Sequence, residues 1–276
     1  MAVTDMAVIK AQSNEKGKIQ VKNKVGFLEQ RVPTYTPIIG IGALLVIWES
    51  VCRLGVISTL FLPSPMVILY SMWEMAVQGE LLPNIFASLY RIMLGYALGA
   101  SMGILIGLLL GFFRWVESLG IPIVFALYPI PKIALLPLII LWFGIGELPK
   151  VLIIALGVFF PVVINTFSGV KNVDPILIKA AVAFGSNHFN VIRKVILPGS
   201  LPVIFAGLKL AAGTSLLLLI AAEMIAAGEG LGFMILHYGN LMITSKLMGG
   251  VVTLSILGLT FNRSLQWLEK KWIPWK

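Results

Sequence analysis

The side chains that could do chemistry are few and scattered in this chain of 276 residues, 58% hydrophobic and 12% charged. Lys132 stands in the run Tyr128-Pro-Ile-Pro-Lys-Ile-Ala-Leu-Leu-Pro137. Pro131 and Lys132 therefore mark irregular backbone that can line a path, with an ammonium able to meet an anion or a counter-ion. Glu223 supplies the opposite charge, and Asn165, Thr214 and Ser215 supply uncharged hydrogen-bonding groups within or beside apolar runs. Together these six residues are candidates for a translocation path. Lys132 can equally pair with an acid, Glu223 included, or stretch to an interface. Arg91, three residues after Ser88, reads as an arginine reaching outward in the same way.

Hydrolytic or covalent catalysis would need acids, histidines or a nucleophile with its base gathered on one face, and no such group gathers, so no catalytic residue is expected. His188 and His237 fall on opposite sides of the topology below, so no metal site is expected either. Cys52 is the single cysteine and excludes an internal disulfide. No glycine-rich loop ends in Gly-Lys-Ser/Thr, the sequence that cradles nucleotide phosphates. The chain is expected to need no cofactor of its own.

The elements that must position these groups are apolar. A span needs about 20 mostly apolar residues to cross ~30 Å of hydrocarbon, and six segments qualify or nearly do: 38–56, 84–112, 119–143, 149–170, 200–223 and 245–263. The expected fold is an all-α polytopic membrane protein with six transmembrane helices. Ser64-Pro65 then opens a short helix over 66–77, too short and polar to cross, which is expected along the interface. Residues 1–36 read as a basic tail rather than a cleaved signal, 37–265 as the membrane domain and 266–276 as a C-terminal tail.

The net charge of +9 does not form one patch, which argues against nucleic acid. If the N-terminus is cytoplasmic, the tail, the 112–118 loop, the 171–199 loop and the C-terminus hold fifteen lysines and arginines. The opposite side holds three, Arg53, Lys150 and Lys246, and the spans hold Arg91, Lys132 and Lys209. That asymmetry places both termini inside, in an inner membrane, with Trp115, Trp267, Trp272 and Trp275 as interfacial anchors.

Two spans carry a pattern. In the second, Gly95, Gly99, Gly103, Gly107 and Gly111 recur every four residues, a stripe of bare backbone about four turns long. Such a stripe admits a close neighbour, either within the subunit or across a dimer seam. In the third, Pro122, Pro129, Pro131 and Pro137 predict a bent or unwound helix near mid-depth.

The 171–199 loop is the most informative connection. Asp174-Pro175 supplies a helix cap and a proline at the first helical position. The helix over Ile176–Phe184 is expected to stop at Gly185. Ser186 is then expected to cap a second piece, Asn187–Ile196, ending at Leu197-Pro198. Ala180, Ala181 and Ala183 are small enough for another surface to approach. Two capped helices in a loop read as a docking element or as a loop packed on its own membrane domain.

The run Lys179-Ala-Ala, three residues, Gly185, nine residues, Val195-Ile-Leu197-Pro198 resembles the loop signature of ATP-binding-cassette importer permeases. That signature is Glu-Ala-Ala, three residues, Gly, nine residues, Ile, one residue, Leu-Pro. Lys179 replaces the glutamate and reverses its charge, and Val195 replaces the isoleucine. Pro129 to Pro137 leading into Leu141-Trp-Phe-Gly144-Ile-Gly-Glu147, and Ala222-Glu223-Met224 followed by Gly230-Leu-Gly232-Phe, resemble the taurine, alkanesulfonate, nitrate and bicarbonate branch, with a lean towards sulfonates.

The resemblance covers about residues 38–265. It implies a type I importer permease fold of the methionine-permease kind, acting as a homodimer. Two separate ATPase subunits would bind ATP and Mg²⁺, and an external substrate-binding protein would deliver substrate. It implies an ATPase-coupling role for Asp174, Pro175, Lys179, Ala180, Ala181, Phe184, Gly185, Leu197 and Pro198. The alternative is a secondary transporter or channel without an ATPase partner. Such proteins often show internal repeats, and the two halves here show no convincing self-similarity.

Overall fold

The computed structural model describes residues 35–275 except 56. Residues 1–34 of the expected basic tail lie outside the described residues. The chain divides into two units between Trp48 and Glu49. Of the first, the described part is the helical stretch from Thr36 to Trp48; the packing below belongs to the second.

All regular structure among the described residues is helical. The order is α1 (Thr36–Arg53), α2 (Pro65–Val77), α3 (Leu81–Phe112), α4 (Arg114–Leu127), a 3-10 turn (Lys132–Leu135), α5 (Leu136–Phe143), α6 (Glu147–Lys171), α7 (Pro175–Ala183), α8 (His188–Val191), a π-helical turn (Ile192–Ile196), α9 (Leu197–Ala226), α10 (Leu231–Asn240) and α11 (Thr244–Trp272). By length and composition α3, α6, α8–α9 taken together and α11 can cross a membrane, and α4 with the turn and α5 is apolar and long enough to do so as a bent pair. The apolar run 38–56 falls on α1, an 18-residue helix whose charges are Glu49 and Arg53.

The core is α3 against α6 against α9. Each glycine of the α3 stripe meets a branched side chain of α6. A Cβ at Gly95 would lie 2.7 Å from the Cβ of Ile154, at Gly103 2.9 Å from that of Val162, at Gly107 2.5 Å from that of Thr166 and at Gly111 2.7 Å from that of Val170. Gly99 faces Val158 and the Ala155 backbone in the same way. The partners also recur every four residues and rise with the glycines, so the helices run parallel in register. Valine and isoleucine, four of the five partners, hold one rotamer in a helix, and the stiff ridge fills the groove that five missing side chains leave. The stripe is thus used inside the subunit. Ile92, Ile153, Ile154, Val158, Val162 and Leu219 are fully enclosed in this core.

The third span breaks where the prolines stand. Pro122 is accommodated within α4, whereas Pro129 and Pro131 occupy the break. Pro137 opens α5, and the two segments meet at 87°.

Several local expectations need correction. Ser64 makes no side-chain cap to α2; Glu49 accepts from the Met66 N–H at 3.2 Å instead, and α2 buries Ile68, Ser71 and Met75. Asn187, not Ser186, caps α8, accepting from the Asn190 N–H at 2.8 Å. Leu197-Pro198 does not end that helix. A π-helical turn over Ile192–Ile196 widens the backbone ahead of Pro198, which has no N–H to donate, and α8 runs on into α9. At the other terminus α11 continues past residue 265 to Trp272 and buries Glu269.

Candidate functional site: an exposed loop helix and a buried charge cluster

The α7 helix forms because its two ends are specified chemically. Asp174 accepts from the Ile176 N–H at 2.8 Å, Pro175 occupies the first turn, and such a cap is worth about 1 kcal/mol. At the far end Gly185 takes φ +78°. Its N–H donates to the Val182 carbonyl at 2.9 Å, and that of Ser186 to Ala181 at 3.1 Å, closing the left-handed stop that glycine permits.

No residue of α7 is buried. Ile176, Leu177 and Val182 are more than half exposed, and Phe184 is 89% exposed. Lys179, Ala180 and Gly185 are open too, with Ala181 partly covered. Leu197 and Pro198 lie at the base of α9, connected to α7 through Asn187 and the π turn. The sequence-derived coupling residues thus fall on or beside one helix with no buried residue and at the root of the span that follows it.

At the opposite ends of α3, α6 and α9 the chain encloses charge. Arg91, 1% exposed, donates to Glu223 at 2.8 Å, bidentately to Glu147 at 2.6 and 2.9 Å, and to the Glu229 carbonyl at 2.7 Å. Glu223 is fully enclosed; it also accepts from Ser88 Oγ at 2.8 Å and from the Gly232 N–H at 2.8 Å. Ser88 Oγ in turn accepts from the Leu231 N–H at 2.8 Å, Asn84 accepts from the Gly230 N–H at 2.7 Å, and Lys150 donates to Glu147 at 2.7 Å. Gly230, at φ +119°, leaves no room for a side chain beside the Glu223 carboxylate and Arg91. Buried charges are tolerated when paired and hydrogen-bonded throughout, and here every one is.

The outward-reaching expectation for Arg91 is therefore wrong. Three acids at neighbouring helix ends outbid the interface for the guanidinium, whose rigid fork suits bidentate carboxylates. A signal existed in the sequence, since Ser88 and Arg91 share a helix face and Glu147, Lys150, Glu223 and Glu229 all cluster on one side of the expected topology. Beside this cluster Tyr238 of α10 donates to Glu80 at 2.5 Å, and burial followed by the Glu80 contact pushes its phenol up to about 12.

The six path candidates separate. Lys132 and Glu223 do not pair. The Lys132 ammonium turns back to the Leu127 and Tyr128 carbonyls at the end of α4 and lies 4.5 Å from the Phe160 ring centroid. It satisfies acceptors that the break leaves open. Pro131 is exposed beside it. Asn165 donates to the Pro161 carbonyl at 2.8 Å and Thr214 to Ala211 at 3.0 Å, both on half-buried faces. Ser215 is enclosed and donates to Ala212 at 2.8 Å.

A bundle of long apolar helices with one capped helix between spans, none of whose residues is buried, is a membrane protein. The family model for the inner membrane component of binding-protein-dependent transport systems matches residues 99–274. The chain belongs to this family. A Bacillus subtilis (strain 168) protein named for aliphatic sulfonates transport, permease protein SsuC, is 38% identical over 233 residues, 84% of either chain. The taurine transport system permease protein TauC of Escherichia coli (strain K12) is 37% identical over 240 residues, 85% of this chain and 87% of that one.

Among solved structures, an inward-facing MetNI methionine transporter chain superposes with a TM-score of 0.58 at 20% identity, covering 71% of this permease and 98% of that chain. The fold is thus the expected type I importer permease fold. The permease is a multi-pass inner-membrane transport subunit, not an enzyme.

Proposed function

We propose that this permease carries a small sulfonate, taurine or an alkanesulfonate, inward by alternating access, with ATP and Mg²⁺ bound by two partner ATPase subunits. An external binding protein delivers the substrate, and the working unit is a homodimer with both termini cytoplasmic. The names of its relatives support the substrate class, and the fifteen-to-three distribution of basic residues supports the orientation.

The observation that carries the reading is α7, ordered by its own caps yet buried nowhere. Ordering a loop costs conformational entropy that internal packing would normally offset, and an apolar helix left uncovered matches a protein partner. Closure of the ATPase pair would press on Ile176, Leu177, Val182 and Phe184, and the load would pass through the root of α9 at Leu197-Pro198. Only a partner with different affinities for the two states can shift their populations, so α7 binds the closed and open ATPase pairs unequally. Pro131, Lys132, Asn165 and Thr214 remain path candidates; Ser215 and Glu223 are enclosed here and would need a rearrangement to meet substrate.

The test is co-expression with the candidate ATPase and purification through a tag on one subunit. Co-purification that is lost when residues 174–185 are replaced supports the reading. Failure of the wild-type chain to retain the ATPase in several mild detergents points to the secondary-transporter alternative. Gly185→Val, strained at φ +78°, should then leave ATPase activity unlinked from taurine uptake; unchanged uptake would count against the lever role.

A further inference from the structure

The outward face of α11 is not used by anything described so far. Between Lys246 and Arg263 the helix carries no charge, and 17 residues rise about 25 Å, close to the ~30 Å of hydrocarbon. Lys246 at one end is tied to Gln78 at 3.3 Å and lies 5.3 Å from the Tyr238 ring centroid. Arg263 at the other end is exposed, and among the described residues no carboxylate forms an ion pair with it. Other basic side chains differ: Lys209 has Glu269 at 2.8 Å and Lys171 has Glu117 at 2.5 Å.

Arg263 opens onto a shallow groove with Thr260, Ser264, Trp267 and Leu268. Residues 256, 259, 260, 263, 267 and 271 share one stripe at helical spacing. Along it Ile256 and Leu259 are more than half exposed, Arg263 follows, and Lys271 closes the row with its ammonium 5.3 Å from the Trp267 ring centroid. The stripe thus grades from aliphatic to aromatic and cationic over about 22 Å.

We infer that this stripe binds an anionic phospholipid, its acyl chain along Ile256 and Leu259 and its phosphate between Arg263, Ser264 and Lys271. The gradient matches a lipid's own polarity from tail to headgroup, and two cations on a stripe that carries no acid, the intervening Glu269 being buried against Lys209, suit an anionic headgroup. A second copy of the chain fits worse, because self-association through this face would gather arginines and lysines with no acid on the stripe to offset them. The inference rests on the chain spanning a bilayer, not on which side its termini face nor on the ATPase partner.

The experiment places the full-length permease in phosphatidylcholine nanodiscs, symmetrical so that orientation does not enter. A minority lipid brominated high on its acyl chain, either phosphatidylglycerol or phosphatidylcholine, quenches nearby tryptophan. Subtracting the signal of Trp267→Phe isolates Trp267 from the other six. Each basic side chain near a headgroup favours an anionic lipid by roughly fivefold. Brominated phosphatidylglycerol should therefore quench Trp267 at a several-fold lower mole fraction than brominated phosphatidylcholine. Arg263→Gln should reduce that preference about fivefold, and Arg263→Lys should retain most of it. Equal quenching by the two lipids overturns the inference, as does a preference that Arg263→Gln leaves intact. Shielding of Trp267 from both lipids also overturns it and assigns the face to a second copy.

Discussion

At one end of α3, α6 and α9 the chain buries Arg91, Lys150 and Glu223 and satisfies each of them. At the other it caps a helix, buries none of its residues and leaves Ile176, Leu177, Val182 and Phe184 exposed. The first end joins segments that are 56 and 132 residues apart in sequence, so it fixes three spans and α10 relative to one another. The second end is made of local contacts, Asp174 to Ile176 and Gly185 to Val182, and fixes only itself. One end ties the spans to one another. The other makes no such tie.

The largest effect that would break this contrast is removal of Arg91. Arg91→Met leaves Glu223 buried without its cation, and breaking a buried pair on one side costs about 3–5 kcal/mol. The expected result is a large fall in thermal midpoint in detergent, or loss of the folded chain. Adding Glu223→Gln should restore part of the stability, because replacing both charges is far cheaper than removing one. A single variant as stable as the parent would show that the cluster does not clamp the spans.

The next largest effect lies midway, in the glycine stripe. Gly103→Leu drives a side chain into Val162 and the Phe159 carbonyl, and overpacking costs about 1–3 kcal/mol. Gly213→Leu, on α9 with nothing within 4 Å of its Cβ position, should be close to neutral. Thermal unfolding of the two variants side by side checks this, and equal losses would mean that the α3–α6 fit does not govern the bundle, since leucine favours a helix over glycine at either site.

These sites also show what the sequence could and could not reveal. Hydropathy finds the spans because lipid demands long apolar runs, and the prolines locate the break because they remove donors. Caps find α7 because they are local in sequence. The four-residue glycine period shows a close neighbour but not which one; the matching period of branched residues at 154, 158, 162, 166 and 170 was the missing half. The charge cluster was hard to read because its charged members come from three helices and the α9–α10 connection, and a lone arginine in an apolar run looks the same whether it reaches out or in. The continuity of α8 into α9 was hidden for another reason: a π turn can carry a proline that an α-helical reading treats as a stop.

A smaller effect is expected from Asp174→Ala. Losing the cap should cost α7 about 1 kcal/mol while leaving the thermal midpoint of the bundle where it was, because no residue of α7 is buried. Hydrogen exchange followed by mass spectrometry separates the two: faster exchange confined to residues 175–184 is the expected result. Faster exchange spreading into α9 as well would show that α7 is packed into the membrane domain after all.

Smallest in stability, and the sharpest test of the contrast, is Phe184→Ala. The ring is 89% exposed, so its removal should change stability by less than about 0.5 kcal/mol. If the bare end exists to be gripped, the same substitution should weaken retention of the ATPase during co-purification and slow uptake, with purified yield and thermal midpoint unchanged. Exposed aromatic side chains serve as anchors in partner pockets and carry a disproportionate share of binding energy. Arg91→Met should do the reverse, lowering stability first and activity only as a consequence. A Phe184→Ala permease with full uptake and a normal ATPase complex would mean that the ring is not the anchor, and the grip would then have to come from Ile176, Leu177 and Val182.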